Sequence, residues 1–354
     1  MKFYNINTQG KFWLHRVDTL PETISEDEGR MVYNRQSETI YFRNSLGWSE
    51  ITTTIPSTIT KGIFGGGYYT GALNSIEYLN IGSLGSSGYD FGDLSVAQTF
   101  LGGTSNGVNQ RGLFAGGSAS PTNTIEYITI NILSNSSDFG DLTLARDGIA
   151  GCSNSTNERG VFAGGDQAVS SYVNVIDYVT INSVGNASDF GDLAAITFLA
   201  GGTSNATNER GVFAGKWAGS NVIEYITISS TGNASDFGDL TVSRAAVGAT
   251  SNYTNERGIF TCGYNSGDFN TIDYITINST GDATDFGDAT EARYECSSVS
   301  NGTLERGITG GGRYHPGGAV SNTIDYVTIS STGDAADFGD LLIPRGYSPA
   351  TFEG

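Results

Sequence analysis

The chain has 354 residues, 50 of them glycine and only 6 proline, with 16% charged and 11% aromatic side chains and a formal net charge of −19. It is turn-rich but too aromatic for a disordered chain, and no run approaches the ~18 to 20 apolar residues that a membrane helix needs. Of the 30 acidic residues after residue 56, 18 are one set of framework carboxylates copied six times, and without a basic stripe such a surface repels nucleic-acid phosphates. The chain is therefore expected to bind no nucleic acid, to insert in no membrane and, with Met1-Lys2-Phe3-Tyr4-Asn5 lacking an apolar core, to carry no cleaved secretion signal.

Residues 1–56 are close to neutral and do not share the pattern of the rest, so they are read as a separate small module. Within them, Gly29-Arg30-Met31-Val32-Tyr33-Asn34 and Thr39-Ile40-Tyr41-Phe42-Arg43 alternate around a polar turn and run into Gly47-Trp48, the pattern of a β-hairpin. This piece resembles a short module of phage tail-fibre and other virion proteins. The resemblance implies attachment to other virion proteins, and any homo-oligomer is expected to form through these residues. Thr52 to Thr60, rich in Thr and Ser, reads as a linker.

From residue 57 a unit of about 48 residues recurs six times. Asp90, Asp138, Asp189, Asp236, Asp285 and Asp337 each open an identical Asp-Phe-Gly-Asp, and from the first five the next Arg-Gly lies 21 residues on. The interval from the Ile of an Ile-Asp/Glu-Tyr triplet to that Asp is 13 residues in five copies and 14 in the first. Only the stretch after the glycine-rich run changes, with 8, 7, 10, 6, 8 and 11 residues before the next Ile. A constant frame with one elastic loop per unit is a repeat architecture that carries its variation on one face.

Each unit holds four short strand-like runs and no sustained 3.6-residue period. In the third unit they are Gly160–Gly165, Val175–Ile181, Asp189–Leu193 read as a tight turn, and a fourth run of the kind seen at Arg244–Thr250. Four strands per unit with periodic glycine and aromatic residues predict a β-propeller blade, the glycine pairs allowing close approach near the central channel and the Tyr and Phe packing blade on blade. Gly62–Gly67 lacks a fourth run upstream, whereas Leu341–Thr351 resembles one, so the C-terminus is expected to close blade one. The expected fold is all-β: a six-bladed β-propeller over residues 57–354 with a small N-terminal hairpin module over 1–56.

The order of Gly116-Gly117, Glu126-Tyr127, Phe139, Leu142 and Arg146, repeated through residues 61–345, resembles the kelch repeat. Departures are Phe in place of the usual Trp, Lys216 for the second glycine of unit four, Cys262 for the first glycine of unit five, and Gln98 and Ile196 in place of the arginine. The wording of the units is similar to kelch-like repeat proteins of tailed bacteriophages, which implies a place in the virion.

Chemistry is sparse. Two histidines, His15 and His315, cannot make a histidine metal cluster, and no phosphate loop is present, so no cofactor, metal or enzymatic activity is expected. A catalytic carboxylate pair should break the repeat symmetry, whereas the abundant carboxylates obey it. The aspartates of Asp-Phe-Gly-Asp are read as turn formers, and the recurrent Glu-Arg pairs (Glu158-Arg159, Glu209-Arg210, Glu256-Arg257, Glu305-Arg306) as salt bridges between blades. Cys152, Cys262 and Cys296 occupy unlike positions and read as small buried residues. The elastic loops offer Tyr68, Tyr69, Asp166, Tyr172, Trp217, Tyr264, Asp268, Phe269, Arg313, Tyr314 and His315, aromatics with polar neighbours that suit sugar stacking or protein contact. The expected role is a non-enzymatic adhesin binding host surface glycan or protein. The alternatives are a capsid or tail decoration protein and, less favoured, an enzyme acting on polysaccharide.

Overall fold

The structure, a computed structural model, describes residues 60–352 apart from 84, 86, 119–121, 169, 217 and 218, together with four strands earlier in the chain. Two units are present, residues 1–59 and 60–354. In the first, Met31–Asn34 pairs antiparallel with Thr39–Asn44, the hairpin legible in the sequence. Gly47–Glu50 adds a third antiparallel strand that contains the Gly-Trp pair, and His15–Val17 adds a parallel one beside Met31–Asn34.

The second unit is a propeller of six blades in a ring, each a four-stranded antiparallel sheet. From the channel outward, blade two comprises Gly102–Ser105, Arg111–Ala115, Thr124–Thr129 and Ser137–Asp141. Blades three to six repeat this order from inner strands Ala150–Ser153, Gly201–Ser204, Gly248–Ser251 and Ser297–Ser300. Blade one takes its inner strand from the other end of the chain: Ala350–Phe352 pairs with Lys61–Gly65, Ala350 opposite Phe64. That strand also lies beside Gly102–Ser105 and Ser297–Ser300, so the ring closes without an open inner edge.

The constant 21-residue step now has a physical reason. It runs from the outer strand of one blade to the second strand of the next, and thus crosses a blade junction whose geometry every unit shares. The elastic stretch instead joins a blade's second and third strands at the channel-mouth end, where nothing constrains its length.

Blades pack through cores shared between neighbours. Leu113, Ile125 and Phe139 of blade two meet Phe162, Val179 and Ile181 of blade three, all 0–3% exposed. Second strands are buried on both faces, which is why they read as continuous apolar runs rather than alternating ones. The recurrent tyrosines instead sit within their own blade, Tyr127 edge-on to Phe139 with centroids 6.1 Å apart.

Three sequence expectations are corrected here. Asp-Phe-Gly-Asp is not a tight turn but a bulge in the outer strand: Ile125 faces Gly140 and Glu126 faces Asp138, leaving Phe139 unpaired and turned into the core. The second Asp contributes its backbone, the Asp141 N–H donating to Asn186 Oδ1 of the following blade at 3.1 Å. The Glu-Arg pairs do bridge blades, but through amides and carbonyls. Glu256 accepts from Asn205 Nδ2 at 2.9 Å, and Arg210 donates to the Ile277 carbonyl at 2.9 Å while its guanidinium covers Tyr225 at 4.4 Å. The residues crowding the channel are not the glycine pairs but Gly103, Gly151 and Gly202 of the inner strands, where a Cβ on Gly151 would lie 2.2 Å from the Gly103 carbonyl oxygen.

In four blades the glycine-pair register flanks a buried arginine–carboxylate pair at the foot of the elastic loop. Arg146 meets Asp177 at 3.1 Å, Arg244 meets Asp273 at 2.8 Å, Arg293 meets Asp325 at 2.7 Å, and Arg345 meets Glu77. All four arginines are 0–1% exposed. In unit three the arginine register, eight residues after the first Asp of the motif, is held by buried Thr197 and not by Ile196, which is 60% exposed. Blade four compensates: Lys216, the departure at its second glycine, forms the ion pair with buried Glu224. Two departures that read as unrelated in the sequence are one substitution of cation source. In blade two, where Gln98 stands in the register, Glu126 is met by the Ser95 N–H at 3.2 Å and the Ser136 hydroxyl at 3.1 Å.

Candidate binding site at the channel mouth

On the face that carries the elastic loops, one residue per blade turns the chain into the inner strand: Phe100, Gly148, Leu199, Ala246, Glu295 and Tyr347. All six have φ between 55° and 63°, a left-handed conformation that costs a non-glycine residue ~1 kcal/mol or more. The reason they adopt it is a belt of backbone hydrogen bonds around the channel. Gly148 N–H donates to the Phe100 carbonyl at 2.7 Å, Leu199 to Gly148, Ala246 to Leu199 and Glu295 to Ala246 at 3.0 Å each, and Phe100 to Tyr347 at 3.0 Å. The six residues line a cavity of about 120 Å³ whose deeper wall is the inner strands. At the far end of the channel the Tyr253 ring packs over Gly302, within 2.6 Å of where a Cβ there would stand.

The belt obeys the repeat in backbone and breaks it in side chains. Phe100 and Tyr347 place their rings with centroids 3.7 Å apart, and the aromatic run continues from Phe100 to Phe198 at 5.9 Å and on to Tyr172, stacked at 5.3 Å. Glu295 is the belt's one carboxyl group. It hydrogen-bonds the Tyr347 hydroxyl, Arg313 Nη1 stands 3.8 Å from its Oε2, and Oε2 has no hydrogen-bond partner among the described residues. Burial pushes its carboxyl up to about 8 against the pull of Tyr347 and Arg313. Arg313 in turn donates to the Tyr347 hydroxyl at 2.5 Å and lies over the rings of Tyr347 and Tyr68, at 5.0 and 5.6 Å.

Of the loop residues singled out in the sequence, one group converges beside Glu295. Tyr264 packs against His315 and Tyr294, at 5.4 and 5.2 Å, and Asp268 Oδ2 accepts from the His315 N–H at 2.6 Å. Tyr314 donates its hydroxyl proton to Glu291 at 2.5 Å and accepts from the Ser321 hydroxyl at 3.1 Å, which holds its own loop. Phe269 is half-buried opposite Gly263 in the blade-five hairpin. Asp166 is structural: its carboxylate accepts the N–H groups of Ala168, Ser170 and Ser171, and together with burial it raises nearby Asp147 to about 6. Tyr69 is 45% exposed at a loop tip away from these contacts, and Trp217 lies outside the described residues.

Sequence reasoning missed Glu295, Tyr347, Phe100 and Phe198 because it searched only the loops that vary in length. The signal was present in a stretch of constant length. Aligned ten residues after each Asp-Phe-Gly-Asp start, the belt register reads Phe, Gly, Leu, Ala, Glu, Tyr. Glu295 thus breaks the repeat symmetry of that register. Among the described residues no group of three or more His, Cys, Asp or Glu could hold a metal ion. Two cysteines are also brought together across a junction: Cys262 of blade five and Cys296 beside the inner strand of blade six are hydrogen-bonded to each other, buried and not joined by a disulfide.

Compared with known protein families and curated proteins, the chain matches no family model and no curated protein.

Proposed function

We propose that the propeller is a non-enzymatic recognition head of a phage particle, binding host surface glycan through the loop face and channel mouth. The observation that supports this reading is a fold whose framework repeats six times while the belt and loops at one end of the channel carry unlike aromatic and polar side chains. The kelch-type and phage resemblances supply the setting, a virion appendage attached through residues 1–56.

The test is saturable binding of the labelled full chain to candidate host cells, with phage adsorption measured in competition. Binding that blocks adsorption, and that weakens in Tyr69→Ala or His315→Ala, supports a receptor-binding head. A folded chain that binds no host cell, yet binds purified particles stripped of it, would identify a decoration protein instead.

A further inference from the structure

The junction between blades five and six departs from the repeat at two positions that touch. The first residue of the glycine pair is Gly66, Gly116, Gly164, Gly215 and Gly311 in five blades and Cys262 in blade five. All six have φ between 59° and 77°, a left-handed backbone that favours glycine. The residue after each belt position reads Leu101, Ile149, Ala200, Val247, Cys296 and Ser348. These two registers meet across the junctions. A Cβ on Gly66, Gly116 or Gly215 would come within 2.9, 2.5 and 2.5 Å of the side chains of Leu101, Ile149 and Val247. It would also press on backbone, 2.4 Å from the Arg146 carbonyl oxygen in blade two and 2.3 Å from that of Arg345 in blade six.

A side chain is thus costly at this register, and the one present is a cysteine set against a second cysteine. A small partner does not by itself call for it, since Ala200 and Ser348 are also small and face Gly164 and Gly311. Cys262 and Cys296 share one core, 0% and 7% exposed, and are hydrogen-bonded to each other. At the equivalent place between blades four and five, a Cβ on Gly215 would stand 3.3 Å from the Val247 Cβ. That is close to the ~3.5 to 4.5 Å a disulfide spans between its Cβ atoms.

We propose that Cys262 and Cys296 are a disulfide site, a covalent staple between blades five and six that closes in the presence of a small-molecule disulfide, whatever the loop face binds. The reaction is thiol–disulfide exchange. One cysteine thiolate attacks the small disulfide, forming a mixed disulfide and releasing one small thiol. The second thiolate attacks the protein sulfur of that mixed disulfide and releases the other. The protein loses two electrons and two protons, and the oxidant takes up both as two thiols. Cys262 is the readier nucleophile: the Cys296 thiol and the Arg293 guanidinium hold it below the ordinary thiol range against burial, whereas burial pushes Cys296 well up. Because both residues are buried, exchange runs through local opening of the junction. Cys152 is the internal control, buried in the core of blades three and four without a second cysteine among that core's residues.

The experiment incubates the full chain with glutathione disulfide in urea just below its unfolding transition and returns it to buffer. The protein is then alkylated under denaturing conditions, cut with trypsin, which cleaves at Arg293 between the two cysteines, and read by mass spectrometry. A peptide pair joined through Cys262 and Cys296, lighter by two hydrogens than the separate thiols, is expected, with Cys152 alkylated. The stapled chain should melt about 3 to 6 °C above the reduced one. Cys262→Gly combined with Cys296→Val rebuilds the junction of blades four and five, and its melting temperature should not respond to the oxidant. Alkylation of both Cys262 and Cys296, a lasting glutathione adduct on either, or a link to Cys152 overturns the proposal. So does a parent melting temperature that oxidation leaves unchanged or lowers.

Discussion

Replacing Lys216 by Met removes the cation from the blade-four ion pair while keeping most of the side-chain volume. Glu224 is 1% exposed, and its other polar contact is the Ala194 N–H donating at 2.7 Å. Breaking a buried pair by deleting one partner costs roughly 3 to 5 kcal/mol, because the remaining carboxylate must stay buried unpaired or take up a proton. For a propeller of this size that is a fall in melting temperature on the order of 5 to 8 °C. Thr197→Arg combined with Lys216→Met should recover most of the loss, since Thr197 holds the register from which Arg146, Arg244, Arg293 and Arg345 reach their acids. Lys216→Met with Glu224→Gln should recover it by the other route, removing the charge instead of pairing it. The assay is guanidinium unfolding followed by circular dichroism, with all four proteins at pH 7. A Lys216→Met variant within ~0.5 kcal/mol of the parent, or a Thr197→Arg change that adds nothing to it, would refute cation replacement as the link between these two departures.

Other consequences concern the channel and its junctions. Glu295 has its carboxyl raised from 4.5 to about 8 in the folded chain, so the folded state binds the extra proton. Its contribution is fully present below pH 4.5 and is lost as pH rises through 8, so Glu295→Gln should make the protein more stable than the parent at pH 9 and little different at pH 4 in thermal melts. Asn205→Ala removes the bond to Glu256 and the acceptor for the Arg210 N–H; a loss of about 1 to 3 kcal/mol in urea unfolding is expected. Gly151→Ala should cost more than Gly102→Ala, because its Cβ would press on the Gly103 carbonyl at 2.2 Å while the nearest atom to the other is 3.2 Å away. Deleting residues 1–56 should reduce any oligomer to a monomer in light scattering, and an unchanged mass would reject that module as the oligomerisation element.

Much of this architecture is written locally. Blade number, strand count per blade, closure by the C-terminal strand and the face bearing variable loops all follow from spacings along the chain, because each unit must repeat the same short-range pairing to stack. What spacing cannot express is which neighbour a run joins. The inner strand that follows each Asp-Phe-Gly-Asp belongs to the next blade, and the motif itself becomes a bulge only when the Ile-Asp/Glu-Tyr strand lies opposite it. The same holds for side chains. Lys216 and Glu224 are eight residues apart, yet their pairing has meaning only because Thr197 leaves an arginine's place unfilled. Glu295, Tyr347 and Phe100 lie far apart in the chain and meet because the ring closes on itself, with Ala350–Phe352 against Lys61–Gly65. Repetition along the chain determined the frame. Closure in three dimensions decided which of its exceptions stand together, since only packing brings residues from opposite ends of a sequence to one channel.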